Sequence, residues 1–416
     1  YNSTLLDLGR HRVSGDNQIR KRIAIIGAGP GGICTGIQLL KTGIKDFVIL
    51  EKANGIGGTW WHNRYPGAEC DVPSHLYSFS FEPKKDWSRP YARQPEILEY
   101  MRQCVTKYEL MPYIRLAKEV ASARWDDGST TWNISLADGT SAESDILISG
   151  VGMFTELNYP DIPGINEFRG TIFHTGAWKD GHELTGERVA VIGTGATGVQ
   201  VIQEVAKTAG HLTVFQRTPN YCAPLRNGPI DDQAQRKIKA SYPQIFAKCR
   251  ETHGSFLHGA DPRNAMEVSP DEREALYEKL YGEPGFGIWM GNFRDILVDQ
   301  EANDTISDFI RKKIRERVND PEVAEKLTPR NHGFGTRRVP LETRYYEAYN
   351  QDNVLLVDVH ETPIERITAS GIKTRAAEHV FDIIIYATGF DAVTGSFDRI
   401  DIRGSHGQRL QDKWTH

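Results

Sequence analysis

Three glycines, Gly27, Gly29 and Gly32, and an acid, Glu51, stand in the order and spacing that hold a nucleotide. In such a turn the first glycine permits the tight bend, the second lets backbone approach a pyrophosphate, and the third lets a helix pack closely on a strand. The pyrophosphate then lies on the helix N-terminus, where unpaired N–H groups and the dipole favour an anion. Glu51, twenty-four residues after Gly27, is placed to accept hydrogen bonds from an adenine ribose. Gly193, Gly195 and Gly198 repeat the turn, and their unit ends on Arg217, again twenty-four residues after its first glycine. A carboxylate at that place suits a ribose 2′-hydroxyl, whereas a guanidinium suits a 2′-phosphate through paired, charge-assisted hydrogen bonds. Such contacts contribute about 1.5–3 kcal/mol each, so a preference for NADPH over NADH of about ten- to a hundredfold is expected. FAD on the first turn and NADPH on the second is the layout of flavoproteins that take hydride from NADPH.

The elements that must position these residues are legible around them. "RIAIIGAGPGGICTGIQLLKTGIKDFVILEK" reads as strand, turn, amphipathic helix and second strand, and "ERVAVIGTGATGVQVIQEVAKTAGHLTVFQRTP" repeats that order. "NVLLVD" and "FDIIIYATGF" return as strands, the second apolar enough for a buried parallel sheet. Between the second glycine unit and these strands, residues 230–329 carry charged helical patterns, and Ser269-Pro270 followed by Asp271 and Glu272 predicts a helix start. The expected fold is therefore α/β, with two Rossmann-like dinucleotide-binding domains, one for FAD and one for NADPH. The FAD domain is expected over 1–160 and 385–416, the NADPH domain over 161–229 and 330–384, and a helical insertion over 230–329. Just after Glu51, "GGTWWHNRYPGAECD" combines glycines, aromatics and polar groups. It suits a flat ring system needing backbone contacts and stacking faces, or else a packed aromatic surface loop.

Composition narrows the partners. The 416 residues are 39% hydrophobic and 25% charged, the balance of a globular protein of two or three domains. A net charge of −5 offers no general basic field for nucleic acid, and no apolar run reaches membrane-spanning length. The five cysteines, Cys34, Cys70, Cys104, Cys222 and Cys249, are odd in number and scattered, which suggests free thiols in a reducing, cytoplasmic compartment. No C-x-x-C occurs, which argues against a disulfide reductase, and the N-terminal "YNSTLLDLGRHRVSGDNQIRKR" lacks the apolar centre of an export signal. Small molecules are the expected partners, with no nucleic acid, membrane or metal.

Two further stretches resemble the Baeyer–Villiger monooxygenases among the flavoproteins. "FRGTIFHTGAWKD" is similar to their FxGxxxHxxxW fingerprint at Phe168, Gly170, His174 and Trp178, with Lys179 intervening before Asp180. "GGTWWHNRYPGAECD" is similar to their GGxWxxxx(F/Y)PGxxxD pattern at Gly57, Gly58, Trp60, Tyr65, Pro66, Gly67 and Asp71. "VFQRTPNY" and "YATGFDAVTG" resemble the branch of phenylacetone and cyclohexanone monooxygenases. The likeness runs from about residue 20 to the end, where "LQDKWTH" resembles a segment that the family follows with more of the FAD domain.

That resemblance implies an enzyme that inserts one oxygen atom of O2 beside a ketone carbonyl, giving an ester or lactone through a C4a-peroxyflavin. An N- or S-oxygenating flavin monooxygenase shares both glycine turns and is the alternative. Arg338, in "GFGTRRVPLETRYY", falls at the family's active-site arginine, and Asp71 is expected to pair with it. An arginine suits the task because it donates without giving up its proton. Taken alone, "TRR" is as well read as a solvated basic turn. For FAD, the expected contacts are Gly27, Gly29, Gly32, Glu51, Gly58, Thr59 and Trp60, with Asp71 and Asp391. For NADPH they are Gly193, Thr194, Gly195, Thr197, Gly198, Arg217 and Thr218, with Arg337 beside Arg217 on the 2′-phosphate. His174 and Trp178 are expected on the linker into the NADPH domain, governing domain motion instead of touching substrate.

Overall fold

A computed structural model describes residues 21–252 and 254–414. The N-terminal stretch examined for an export signal lies almost wholly outside them. The chain forms two compact units, one drawn from Tyr1–Asn63, Pro95–Asn158 and Phe390–His416, the other from Arg64–Gln94 and Tyr159–Gly389.

In the first unit a parallel sheet runs in the order Ile114–Arg115, Phe47–Leu50, Ile23–Ile26, Ile146–Ser149. Ile23–Ile26 and Phe47–Leu50 are buried along their whole length, as expected for apolar strands covered on both faces. Ala24, Ile26, Val48 and Leu50 share a core with Ala123, Ile134 and Leu136 of an antiparallel layer. That layer comprises Val120–Asp126, Thr131–Leu136 and Ser141–Ser144, with Asp401–Arg403 on its edge. The helix Pro30–Lys41 follows the first strand, with proline in its first turn, where a missing N–H costs nothing.

A β-carbon on Gly32 would stand 1.9 Å from the Gly27 carbonyl oxygen, whereas one on the neighbouring Gly31 would meet nothing within 4 Å. Gly32→Ala should therefore displace the turn and yield protein that is colourless or insoluble, while Gly31→Ala stays soluble and yellow. The ratio of 450 nm to 280 nm absorbance after purification checks this, and equal ratios would refute it.

The second unit holds a five-stranded parallel sheet in the order Val354–Asp358, His211–Gln216, Arg188–Ile192, Ile383–Tyr386, Thr171–His174. Helix Ala196–Val205 leaves the strand Arg188–Ile192 through the second glycine turn. The residues 230–329 are helical as patterned, and Ser269 Oγ accepts the Glu272 N–H at the predicted helix start, 3.3 Å away. The longest helix, Gln300–Arg317, is capped by Asp299 and buries Ala302, Ile306, Phe309, Ile310 and Ile314. That spacing is one apolar stripe on an otherwise charged helix. It enters the same core as Val199 and Ile202 of the nucleotide helix, so the insertion and the sheet share an interior.

The units differ from the expected segments at residues 64–94, 159–160 and 385–389, all of which fall in the second unit. Residues 64–94, expected within the first segment, pack in the second unit. Tyr65 OH donates to Gln200 Oε1 (2.7 Å), Gln200 Nε2 donates to the Glu69 carbonyl (3.0 Å), and Asn227 Nδ2 donates to Glu69 Oε2 (2.9 Å). The strand Ile383–Tyr386, whose last two residues were expected to begin the return to the first segment, pairs on both sides within the second sheet.

Candidate active site

A cavity of about 360 Å³ opens in the first unit beside the glycine turn. Its floor is bare backbone: Gly29, Gly58 and Thr59 line it, and a β-carbon on Gly58 would lie 2.9 Å from Gly29 Cα. Gly27, with φ of +98°, occupies the left-handed region, and a β-carbon there would meet the Gly150 carbonyl at 2.5 Å. Glu51 is buried and lines the cavity, its Oε2 accepting the Ala28 N–H (2.7 Å) and Oε1 the Ala53 N–H (2.8 Å). Those two bonds fix the carboxylate and leave each oxygen a second acceptor position.

The wall also holds residues that no motif marked. Ser396 Oγ is buried with no hydrogen-bond partner, an atom that a bound group would satisfy. Arg399 and Lys52 line the cavity too and converge on Glu156, at 3.1 and 3.6 Å. Asp391 is exposed and does not line this cavity; its backbone N–H donates to the Glu156 carbonyl. Trp60 is buried in the short helix Thr59–His62. Bare backbone, a fixed carboxylate and an orphaned hydroxyl in one cavity fit a dinucleotide cofactor.

The second glycine turn is built alike. Gly193 has φ of +110°, a β-carbon on it would meet the Ala387 carbonyl at 2.5 Å, and one on Gly198 the Gly193 carbonyl at 2.3 Å. Gly195 caps the helix, and Thr197 lies half-buried in its first turn. Thr194 Oγ1 donates to the Thr218 carbonyl at 3.0 Å, which ties the turn to the segment carrying Arg217. Arg217 is exposed just past the strand His211–Gln216, and Arg337 is exposed beside Arg338. At the carboxyl end of the same sheet, the hydroxyls of Tyr386 and Thr175 are buried without partners. Burial, with Tyr159 alongside, pushes the Tyr386 phenol up to about 12, so it stays a neutral donor. Carboxyl ends of parallel strands are where such folds bind ligands.

Asp71 and Arg338, 267 residues apart, form an ion pair between Oδ2 and Nη2. Each is held by its flanks. The Tyr65 and Gln200 bonds anchor the turn before Asp71, and Gly67, with φ of +85°, makes the bend. The Cys70 N–H donates to the Ala92 carbonyl at 2.9 Å, and burial pushes the Cys70 thiol up to about 12, so it is no competing nucleophile. On the other side Val339 is fully buried, and the Pro340 carbonyl accepts the Ala223 N–H. The Arg338 guanidinium lies 5.5 Å over the Phe286 ring, and more than half of its side chain, 55%, is exposed. A fixed cation with solvent access on one side is placed to meet an incoming anion or developing oxyanion.

The fingerprint residues lie in the second unit's sheet and core, not in a linker as expected. Thr171–His174 is a strand paired with Ile383–Tyr386 in register Tyr386↔His174, because Ile172 and Phe173 supply β-branched and aromatic bulk to the layer. His174 is 2% exposed; its Nδ1 accepts the Gly176 N–H (3.1 Å) and its Nε2 stands 3.5 Å from Thr388 Oγ1. Trp178 stacks on Phe173 with centroids 4.5 Å apart, and Phe168 is buried on the other side of the sheet's core. Gly170 admits no side chain, since a β-carbon would meet the Asp382 carbonyl at 2.4 Å.

Among described residues, no group of three or more His, Cys, Asp or Glu could hold a metal ion, and no helix is long and apolar enough to cross a membrane. None of the five cysteines forms a disulfide.

Comparison with known proteins adds to this geometry. Residues 24–227 match the family model described as pyridine nucleotide-disulphide oxidoreductase. The chain is 45% identical over 402 residues to a 2-oxo-Δ(3)-4,5,5-trimethylcyclopentenylacetyl-CoA monooxygenase of Pseudomonas putida, covering 94% of this chain and 74% of that protein. It is 40% identical over 396 residues to a Baeyer–Villiger monooxygenase of Pseudooceanicola batsensis, covering 94% of this chain and 72% of that one. A crystal structure of OTEMO in complex with FAD and NADP superposes with a TM-score of 0.92 at 44% identity, over 95% of this chain and 76% of that one.

Proposed function

The chain belongs to the Baeyer–Villiger monooxygenases, and on that premise we propose how its own residues serve the reaction. It is an FAD- and NADPH-dependent monooxygenase that places one oxygen atom of O2 next to a ketone carbonyl, giving an ester or lactone. The observation that carries the assignment of roles is the Asp71–Arg338 ion pair, held from both sides.

When bound, FAD supplies the oxygen-activating ring and NADPH the hydride. In the first unit, Gly27, Gly29 and Gly32 would admit the FAD pyrophosphate, Glu51 its ribose hydroxyls, and the Gly58–Thr59 floor and Ser396 hydroxyl the remaining polar edge. In the second unit, Gly193, Gly195 and Gly198 would admit the NADPH pyrophosphate, with Thr194, Thr197 and Thr218 around it and Arg217 and Arg337 on the 2′-phosphate. Arg338 meets negative charge as it develops on oxygen, and its proton stays put because a guanidinium does not deprotonate in the working range. Asp71 sets where that charge sits. His174 pairs the edge strand with Tyr386 and Trp178 stacks on that strand's Phe173, a positioning role. Five cysteines without a disulfide favour a reducing, cytoplasmic compartment.

Replacing Arg217 with alanine should erase most of the coenzyme preference. The ratio of kcat/KM for NADPH to that for NADH is expected to fall about ten- to a hundredfold, mainly through KM for NADPH. An unchanged ratio would remove Arg217 from the 2′-phosphate.

The reaction itself is tested with NADPH, 18O2 and a mixture of cyclic, aryl and linear ketones plus one tertiary amine, read by mass spectrometry. Singly labelled ester or lactone supports the reading. Labelled N-oxide without ester overturns it and strips Asp71 and Arg338 of their roles.

A further inference from the structure

A second, polar cavity of about 200 Å³ lies in the second unit, apart from either glycine turn. Its lining carries four cations, Arg89, Arg93, Lys207 and Arg344, against two carboxylates, Glu69 and Glu204. Lys207 Nζ is committed to Glu204 at 2.6 Å. Among the described residues, Arg89, Arg93 and Arg344 make no side-chain ion pair or hydrogen bond, although the chain as a whole is acidic at −5. Arg89 and Arg93 act on the Glu69 carboxylate through space, but with Lys207 held on Glu204 that single carboxylate faces three guanidiniums, so the concavity keeps surplus positive charge and is stabilised when an anion enters.

The frame holding them is built from buried or half-buried amides. Gln203 Oε1 accepts the N–H groups of Thr343 (3.1 Å) and Arg344 (3.0 Å), fixing the loop that carries Arg344. Asn227 Nδ2 donates to Glu69 Oε2 (2.9 Å) and the Tyr91 carbonyl (2.7 Å), and its Oδ1 accepts the Tyr91 N–H (3.2 Å). Those bonds fix the segment between Arg89 and Arg93. Gly67 forms the wall at its closest point, where a β-carbon would lie 2.6 Å from the Gln200 carbonyl.

We propose that Arg89, Arg93 and Arg344 form an anion site for a phosphate group. The charge balance of four cations and two carboxylates leaves a surplus that a dianion neutralises, and guanidinium forks match phosphate oxygens in pairs. The volume is below the ~300–1,000 Å³ of pockets that enclose a drug-sized ligand, so what enters is one small group, free or at the end of a larger molecule. It is not the pyrophosphate of the nucleotide turn. Gln203, Glu204 and Lys207 stand at the far end of helix Ala196–Val205, roughly 13 Å along its axis from the turn. The helix dipole at that end opposes an anion by roughly half a charge, which three guanidiniums outweigh.

The test is calorimetric titration of the full-length holoenzyme, saturated with NADP+ to fill its own phosphate contacts, with inorganic phosphate at constant ionic strength. Wild type is compared with the double variant Arg93→Gln/Arg344→Gln. The expected result is binding that weakens at least tenfold in the double variant while flavin content and Tm hold. Equal affinity in the two proteins, or heats no larger than those of matched chloride, overturns the proposal. Should the double variant not fold, Arg89→Gln alone serves, with a smaller loss expected and no loss counting against the site. Coenzyme A, which carries a phosphate monoester on a large molecule, separates the sources. Tighter binding than phosphate, lost in the variant, identifies a carried phosphate group; affinity no better than that of phosphate, but equally sensitive to the variant, identifies the free anion.

Discussion

Arg338→Ala should lower ester formation about a hundred- to a thousandfold, the loss typical when one preorganised donor to a developing oxyanion is removed. Flavin content should be unchanged, because Arg338 is not among the residues that line the 360 Å³ cavity. NADPH would still be consumed, its electrons passing to O2 as hydrogen peroxide instead of into ester. Arg338→Lys keeps the charge but loses the Nη2 bond to Asp71 and the flat face over Phe286, so it should recover only part of the rate. Asp71→Asn should fall between wild type and Arg338→Ala, since the guanidinium remains but is no longer pinned by a full charge. The measurement is ester per NADPH consumed, by gas chromatography against peroxide release. A wild-type ratio in Arg338→Ala would sink the role given to this residue.

Arg317→Ala should lose about 3–5 kcal/mol of stability, through a different mechanism. Arg317 donates to both oxygens of Glu342 (2.7 and 3.0 Å), both oxygens of Glu347 (2.7 and 2.8 Å) and the Tyr281 hydroxyl (3.1 Å). The Glu342 side chain is 0% exposed, so losing the guanidinium leaves a carboxylate in the core with too few partners. At about 2–4 °C per kcal/mol for domains of this size, Tm should drop by roughly 10 °C. Arg317→Met combined with Glu342→Gln should regain much of the loss, because no charge is then left in the core and Glu347, with its side chain partly exposed, keeps its water. Acid should narrow the gap between wild type and Arg317→Ala. Burial pushes the Glu347 carboxyl up, but hydrogen bonds from Arg317 override it and hold the group below its ordinary 4.5. A depressed folded-state value means this stabilisation is present above pH 4.5 and lost as pH falls through the lower folded value. Scanning calorimetry at neutral pH and near pH 3.5 checks both the size and the trend; a gap that widens in acid would contradict it.

The parts of this molecule legible in the sequence are those whose physics is local. Gly27 and Gly193 must be glycine because their backbone is left-handed and faces a carbonyl at 2.5 Å, and that demand is written into a few adjacent residues. The helix start at Ser269 is local in the same way. By contrast Ser396 and Arg399 carry no motif; only the return of the chain's last part brings them to a cavity wall. The membership of residues 64–94 was opaque for a similar reason. It is decided by hydrogen bonds to Gln200 and Asn227, more than a hundred positions away, and not by the loop's own composition. The stretch around His174 shows another limit. A histidine lying just ahead of the second nucleotide unit reads by position as a connection, yet pairing with Ile383–Tyr386 makes it a strand. Asp71 and Arg338 were matched through family resemblance alone, since nothing in the spacing of residues 267 apart links them.

The second sheet sets an order of events during synthesis. Its strand Ile383–Tyr386 lies between Arg188–Ile192 and Thr171–His174, which precede it by roughly two hundred residues. At about 5–20 residues per second, a ribosome needs on the order of 10–40 s to deliver that strand after its two neighbours have emerged. Throughout that interval, Val189, Val191 and Phe173 have hydrogen-bonding edges with no strand to take, a state that invites pairing between nascent chains. An interior strand of the sheet is thus its last piece to arrive. Expression at low temperature, or with a chaperone that shields open edges, should raise the soluble yield more than any change at the mature protein's surface.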